Sequence, residues 1–248
     1  IFRLPRCAFR AIVHDVVDYS AHPGKKPWAS NILNFIGVLF GILFFKVKIE
    51  IDPDAQKNGP VLILSKHSAE FDIPLGYHAM KRAFGRHAWC IMKASLVRPR
   101  YLGFFWKIGG IPLEREDPQQ SKNYLVYARK VLYEKDITGL KDGDGNLMVL
   151  FPEQTTYWRQ MGEGKLAGFR FLAGKPARPL ACNSVGFRYK PGFPRTSVVI
   201  RFGPTRYFTA DMDHGLFLHE RMKEIAELSG LEYSFPAPRS RKAEAVVG

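Results

Sequence analysis

The sequence predicts an α/β fold: a mixed sheet flanked by helices, preceded by an N-terminal apolar helical hairpin. Three observations carry this. Strand-length runs, apolar or alternating, recur between longer stretches with helical spacing, as in a sheet covered by helices. Hydrophobic residues make up 46% and aromatics 13% of the 248 residues, enough for a substantial core and too many for a disordered chain. The most apolar stretch, residues 28–45, follows a charged break, His22-Pro23-Gly24-Lys25-Lys26-Pro27.

Taken in order, residues 4–20 place Phe9, Ile12, Val13, Val16 and Val17 at helical spacing, with Arg3, Arg6 and Arg10 at the start. Residues 28–45 fall short of the roughly 20 apolar residues a spanning helix needs, and they contain Asn31 and Asn34. Trp28 with Lys25-Lys26 at one end and Lys46 with Lys48 at the other suit interfacial anchors. The stretch is read as a helix lying in or dipping into one leaflet. A short or tilted span and a buried core helix are the alternatives.

Residues 46–52 alternate as a half-buried strand, and Val61–Leu64 is an unbroken apolar run that reads as a central strand. Helix is expected over 73–84, strand over Ala88–Met92, helix over 99–107 and a short extended piece at Ile111-Pro112-Leu113. Asp117-Pro118 opens a helix over 118–135. Strands follow at Leu147–Phe151, Leu180–Ser184 and Val198–Phe202, and Met212–Leu228 closes as a helix. A frayed basic tail begins near Pro236. The chain starts with Ile, so it is read as a processed product or a piece of a longer one.

Lys and Arg number 37 against 23 Asp and Glu, a net charge of +14 spread along the chain. Such a surface attracts a polyanion or an anionic membrane. There is no nucleic-acid motif and no basic stripe interleaved with aromatics, so nucleic acid is not expected as a partner. Cys7, Cys90 and Cys182 share no CxxC or Cys/His spacing, which indicates neither a zinc site nor a disulfide framework. Asp142-Gly143-Asp144-Gly145-Asn146 hints at a calcium loop, but Leu147 stands where that loop needs glycine, so it reads as a turn before a strand.

The candidate chemistry lies in Ser65-Lys66-His67-Ser68-Ala69-Glu70-Phe71-Asp72, between an apolar strand and Ile73-Pro74-Leu75. On one continuous helix, residues five apart diverge by roughly 140°. At a strand-to-helix corner, however, His67 and Asp72 can meet. Asp72 would then hold one ring nitrogen and leave the other free as a base. With no partner serine, that base would act on a substrate hydroxyl. The competing reading makes Asp72 a helix N-cap with Pro74 in the first turn.

Three further segments follow in order: Lys93-Ala94-Ser95-Leu96 with Pro99, Gly103 and Gly109 to Arg115; Phe151-Pro152-Glu153-Gln154-Thr155; and Pro176 to Ala181. With the His-x4-Asp segment, they resemble the four blocks of the glycerolipid acyltransferase family, over roughly residues 60–185. Its best-known members convert lysophosphatidic acid to phosphatidic acid. The resemblance implies His67 as general base and Asp72 as the carboxylate that orients it. It implies Arg115 at the acceptor's phosphate, Glu153 and Thr155 shaping the acceptor site, Lys93 near the reaction centre and Pro179 in a structural role. It also implies direct attack of the hydroxyl on an acyl thioester, with acyl-CoA or acyl carrier protein as donor and no bound cofactor or metal. Three residues depart from the pattern: Lys66 for the usual Asn, Gln154 for Gly and Thr156 for Arg. Arg159 or Arg170 is then expected to supply the lost guanidinium, or the acceptor is not a simple phosphomonoester.

The division expected is 1–45 for membrane-docking helices, 46–235 for the acyltransferase domain and 236–248 for the basic tail. The enzyme is expected to be membrane-associated with its active site facing the cytoplasm, and its partners to be a lysophospholipid acceptor, the acyl carrier and the membrane surface. Two rivals stand beside this reading. One keeps the chemistry with another lysolipid, an aminoacyl lipid or a sterol-like alcohol as acceptor. The other is a non-catalytic basic protein that binds membrane or nucleic acid.

Overall fold

The computed structural model describes residues 24–97, 103–113, 118–133 and 146–238. Helix α1 (Pro27–Leu43) leads into β1 (Phe45–Ile51) and β2 (Val61–Ser65). Helix α2 (Asp72–Phe84), β3 (Trp89–Lys93), a 3-10 turn (Ala94–Val97) and the single-turn α3 (Phe104–Lys107) follow. Next come β4 (Gly110–Leu113), α4 (Pro118–Tyr133), β5 (Leu147–Leu150) and α5 (Leu166–Ala173). The hairpin β6 (Leu180–Lys190) and β7 (Thr196–Phe208) and the helix α6 (His214–Ser229) complete the fold.

The seven strands form one sheet in the order β1-β7-β6-β2-β5-β3-β4. Only β6 and β7 run antiparallel; every other neighbour is parallel. The mixed sheet expected from the sequence is therefore present. The helix expected over 4–20, most of the turn at 142–146 and the tail beyond 238 lie outside the described residues, and of the expected N-terminal hairpin α1 alone is described. The helix expected over 99–107 is present as α3 alone, with 98–102 outside the described residues.

Alternation along the central strands divides the core. Leu62, Leu64, Met148 and Leu150 face α4, α5 and α6, whereas Val61, Ile63 and Val149 face α2 together with Val185, Val198 and Ile200. Because both faces are covered, the central strands are apolar throughout, which is why the run at 61–64 stands out in the sequence. The last two strands are longer than their sequence signal. Gly186 and the Gly203-Pro204 pair interrupt the apolar pattern, yet pairing continues through them. Asn183 pairs with Thr205 and Val185 with Phe202, so Ser184 stands opposite both Gly203 and Pro204. Such a bulge is where a strand tolerates a residue that cannot donate to the ladder.

Helix α1 packs on the outside of α2 through Ala29, Ser30, Leu33 and Gly37. A Cβ on Gly37 would lie 2.2 Å from the Pro74 carbonyl oxygen, so the close crossing requires glycine there. The polar residues of α1 face the domain. Ser30 Oγ and Tyr77 Oη share a hydrogen bond (3.0 Å), and Asn31 Oδ1 and Asn34 Oδ1 lie 3.2 Å from His87 Nε2 and His78 Nδ1. The opposite stripe, Trp28, Ile32, Phe35, Leu39 and Ile42, is exposed. Of the readings open for residues 28–45, a buried core helix is overturned: one face packs on α2 and an apolar stripe on the other is exposed. Among the described residues, no helix is long and apolar enough to cross a membrane.

Candidate active site

Strand β2 ends at Ser65 and α2 begins at Asp72, leaving a short corner that carries His67. Asp72 is the first helical residue, with Phe71 in the cap position. Its carboxylate turns back to the corner rather than capping its own helix. Oδ2 accepts the backbone N–H groups of Ser68 and Ala69 (the latter at 2.9 Å) and lies 3.3 Å from His67 Nδ1. Oδ1 accepts the Tyr189 hydroxyl. The Asp72 side chain is fully buried, whereas that of His67 remains 16% exposed. Burial, and then the Asp72 charge, push the Tyr189 phenol well above the ordinary tyrosine range, so it stays protonated and donates.

These contacts decide what the pair can do. A carboxylate that already accepts two amides and a phenol is a fixed acceptor, so His67 presents Nδ1–H to it and keeps Nε2 as its basic nitrogen. Phe151 backs the imidazole, with ring centroids 4.8 Å apart. No described group hydrogen-bonds Nε2. The side chain is thus oriented on one edge and open on the other, as a general base requires.

A buried ion pair fixes the loop beside the corner. The Lys66 side chain has no exposed surface, and its Nζ donates to Glu153 Oε1 (3.0 Å) and Oε2 (2.8 Å) and to the Tyr157 carbonyl (2.9 Å). Glu153 Oε1 also accepts the Gly162 N–H at 2.5 Å. Tyr157 N–H donates to the His67 carbonyl at 3.0 Å, which sews the loop to the corner. Burial pushes the Lys66 ammonium below its ordinary range, and Glu153 opposes that shift. Gln154 sits at φ +57°, and its N–H donates to the Phe151 carbonyl (3.0 Å). A left-handed residue suits glycine, and holding it as Gln costs about 1 kcal/mol or more.

The other expected site residues are placed as follows. Thr155 is exposed on the same loop, and Lys93 is exposed at the end of β3. Neither makes a hydrogen bond or ion pair with His67 or Asp72 among the described residues. Arg115 lies outside the described residues. Pro179 immediately precedes β6.

Below the corner, a narrow apolar cleft runs between α2 and the sheet. Ile73, Gly76, Tyr77 and Met80 line one wall, and Cys90, Met92, Val149, Phe151 and Phe187 the other, with Asp72 at its head. Burial pushes the Cys90 thiol up to about 12, so it is protonated at neutral pH and is no nucleophile. Ser65 Oγ donates to the Lys66 carbonyl (3.1 Å). No group of His, Cys, Asp and Glu among the described residues is arranged to hold a metal ion.

The sequence profile of the acyltransferase family matches residues 46–181, just over half of the chain, and spans both the corner and the Glu153 loop. The chain belongs to the acyltransferase family. Among solved structures, the crystal structure of the 1-acyl-sn-glycerophosphate (LPA) acyltransferase PlsC from Thermotoga maritima is similar in fold, with a TM-score of 0.53. That likeness covers 92% of this chain and 88% of that one at 16% sequence identity. Among curated protein sequences there is no significant match.

In this acyltransferase, two contributors to the site escape sequence reading. Tyr189 is 117 residues from Asp72, and nothing local marks it. Lys66 is visible as a departure from the family pattern, but its partner is 87 residues away. A lysine beside the motif histidine and a glutamate in the third block are the signals from which that pairing was open to inference.

Removing one member of a buried ion pair costs about 3–5 kcal/mol, whereas replacing both with apolar residues costs far less. Lys66→Met is therefore expected to lower unfolding stability by about that amount, and Lys66→Met/Glu153→Leu by less than the sum of the two single changes. Chemical denaturation of the four proteins checks this. Tyr189→Phe removes a hydrogen bond to a buried charge, worth about 1.5–3 kcal/mol. Its expected signature in steady-state kinetics is a roughly tenfold fall in kcat with KM unchanged, because the phenol acts through Asp72.

Proposed function

We propose that this chain is a membrane-associated O-acyltransferase that moves a fatty acyl group from acyl-CoA or acyl carrier protein to the free hydroxyl of a lysophospholipid. Lysophosphatidic acid, giving phosphatidic acid, is the acceptor favoured. The observation that carries the reading is the His67–Asp72 pair at the head of an apolar cleft.

His67 Nε2 takes the proton of the acceptor hydroxyl as its oxygen attacks the thioester carbonyl. Asp72 stabilises the imidazolium that forms. The tetrahedral intermediate collapses to the ester and expels the thiolate, which takes the proton back from His67. The products are the acylated lipid and the free thiol. No covalent acyl-enzyme is involved, in keeping with a protonated Cys90 beside the site. The cleft under α2 has apolar walls but only about 40 Å³ of space, so it must widen to admit a fatty acyl chain.

Membrane association rests on the exposed stripe of α1. Phe35 and Ile42 are more than 60% exposed, and Trp28 packs beneath Lys107 at 5.6 Å. Such a patch on a helix too short to cross a bilayer suits burial of one face in one leaflet. The stripe leads to the active site, since Phe40 meets Phe71, the residue before Asp72, with centroids 5.8 Å apart. The corner thus opens where a lysolipid resides. Lys66, Glu153 and Thr155 shape the loop opposite it, and Lys93 and Arg115 remain acceptor-site candidates. Thr156, which lacks the guanidinium of the family pattern, supports a second reading in which another lysolipid is the acceptor.

Replacement of His67 by Ala is expected to lower acyl transfer by about 10²–10⁴-fold while the melting temperature stays near that of the wild type. Thioester release with a panel of lysolipids, measured on both proteins, checks mechanism and acceptor together. Equal turnover by the variant would contradict the mechanism.

A further inference from the structure

Beside the same corner lies a second groove of about 330 Å³, the size of a small-ligand site, which shares Phe187 with the apolar cleft. Its lining includes Ser68, Trp158, Arg159, Arg188, Lys190 and Gly230. Ser68 belongs to the catalytic corner itself, and its N–H is one of the donors to Asp72. The neighbouring Tyr189, also in the wall, donates to the same carboxylate. The groove therefore meets the site at the ends of β2 and β6, where α/β sheets bind their ligands.

Its charge is what distinguishes it. Arg159, Arg188 and Lys190 converge there, and no carboxylate among the described residues pairs with any of them. Other arginines of the sheet and of α6 are neutralised: Arg201 by Glu50, and Arg206 and Arg221 by Glu224. Three uncompensated cations around a concave surface make a site for an anion with several acceptor oxygens, and guanidinium groups favour phosphate through paired hydrogen bonds. The backbone helps hold them in place. Arg159 is fixed at φ +58° on the loop tied down by Lys66 and Glu153, with its guanidinium 5.7 Å from the Trp158 ring. Arg188 lies against Gly230, where a Cβ would come within 3.0 Å of its Nε, so the bend after α6 leaves room for the guanidinium.

We propose that this groove seats a phosphate ester, gripped by Arg159 and Arg188 with Lys190 at the rim, while the reacting end of the same substrate lies at His67. The placement of the reacting end rests on the acyl-transfer reading; the phosphate site does not. The phosphate belongs either to the head group of the acceptor lipid or to the nucleotide part of the acyl donor.

Binding of soluble probes separates these. Titration calorimetry of the full chain with glycerol 3-phosphate, with adenosine 3′,5′-bisphosphate and with glycerol is expected to show binding of at least one phosphate probe and none of glycerol. Arg159→Gln/Arg188→Gln is expected to weaken that binding at least tenfold with an unchanged melting temperature. In turnover assays the same variant is expected to raise KM for only one substrate. A rise for the phosphorylated lysolipid assigns the groove to the acceptor, and a rise for acyl-CoA assigns it to the donor. The proposal is overturned if the wild type binds neither phosphate probe or if the double variant binds them as well as the wild type does. His67→Ala keeps probe binding in either case, so normal turnover by that variant would count against the catalytic reading and leave the groove standing.

Discussion

The buried carboxylate of Asp72 is the constraint on which the rest of the site depends. A charge with no solvent around it is stable only if its oxygens are satisfied, and here two backbone amides, a phenol and an imidazole satisfy them. The amides come from the corner itself, the phenol from β6 and the carboxylate from the first turn of α2. One side chain thereby joins the end of β2, the start of α2 and the neighbouring strand. The positive end of the α2 dipole favours the negative charge further. The histidine occupies the one position left around Oδ2, so its orientation is a by-product of satisfying the aspartate. Function and fold share the same hydrogen bonds.

Lys66 and Glu153 extend that logic to the facing loop. The lysine fills a buried position adjoining His67, a costly placement that only a buried carboxylate can offset. The glutamate in turn takes the Gly162 amide, so the ion pair anchors the loop from 153 to 162 beside the packing of Met161 in the core. Gln154 and Arg159 are both held in the left-handed region along it. The corner so held borders both the apolar cleft and the basic groove.

Much of this was legible in the sequence where the signal was local. The unbroken run Val61-Leu62-Ile63-Leu64 marked the central strand because both sheet faces are covered, and His67 with Asp72 marked the corner that follows it. The α1 helix was legible as a helix, but not the contacts of its asparagines, which meet His87 and His78 of the domain. What stayed hidden depends on long-range pairing. The β6–β7 hairpin reads as two short strands until the bulge opposite Pro204 is seen. Tyr189 has no local signature at all. Glu153 was assigned to the acceptor site only through its place in the third block of the family pattern, and the buried lysine that its carboxylate meets lies 87 residues away in sequence.

The central claim is that Asp72 holds His67 as the Nδ1–H tautomer, leaving Nε2 as the base. Nitrogen-15 NMR of histidine-labelled protein at neutral pH, with the His67 signals assigned by their loss in a His67→Gln sample, tests it most directly. The account predicts a protonated Nδ1 and a proton-free Nε2, with the signals of the two nitrogens merging toward rapid exchange when Asp72 is replaced by Asn. A proton resident on Nε2 in the wild-type protein would contradict it.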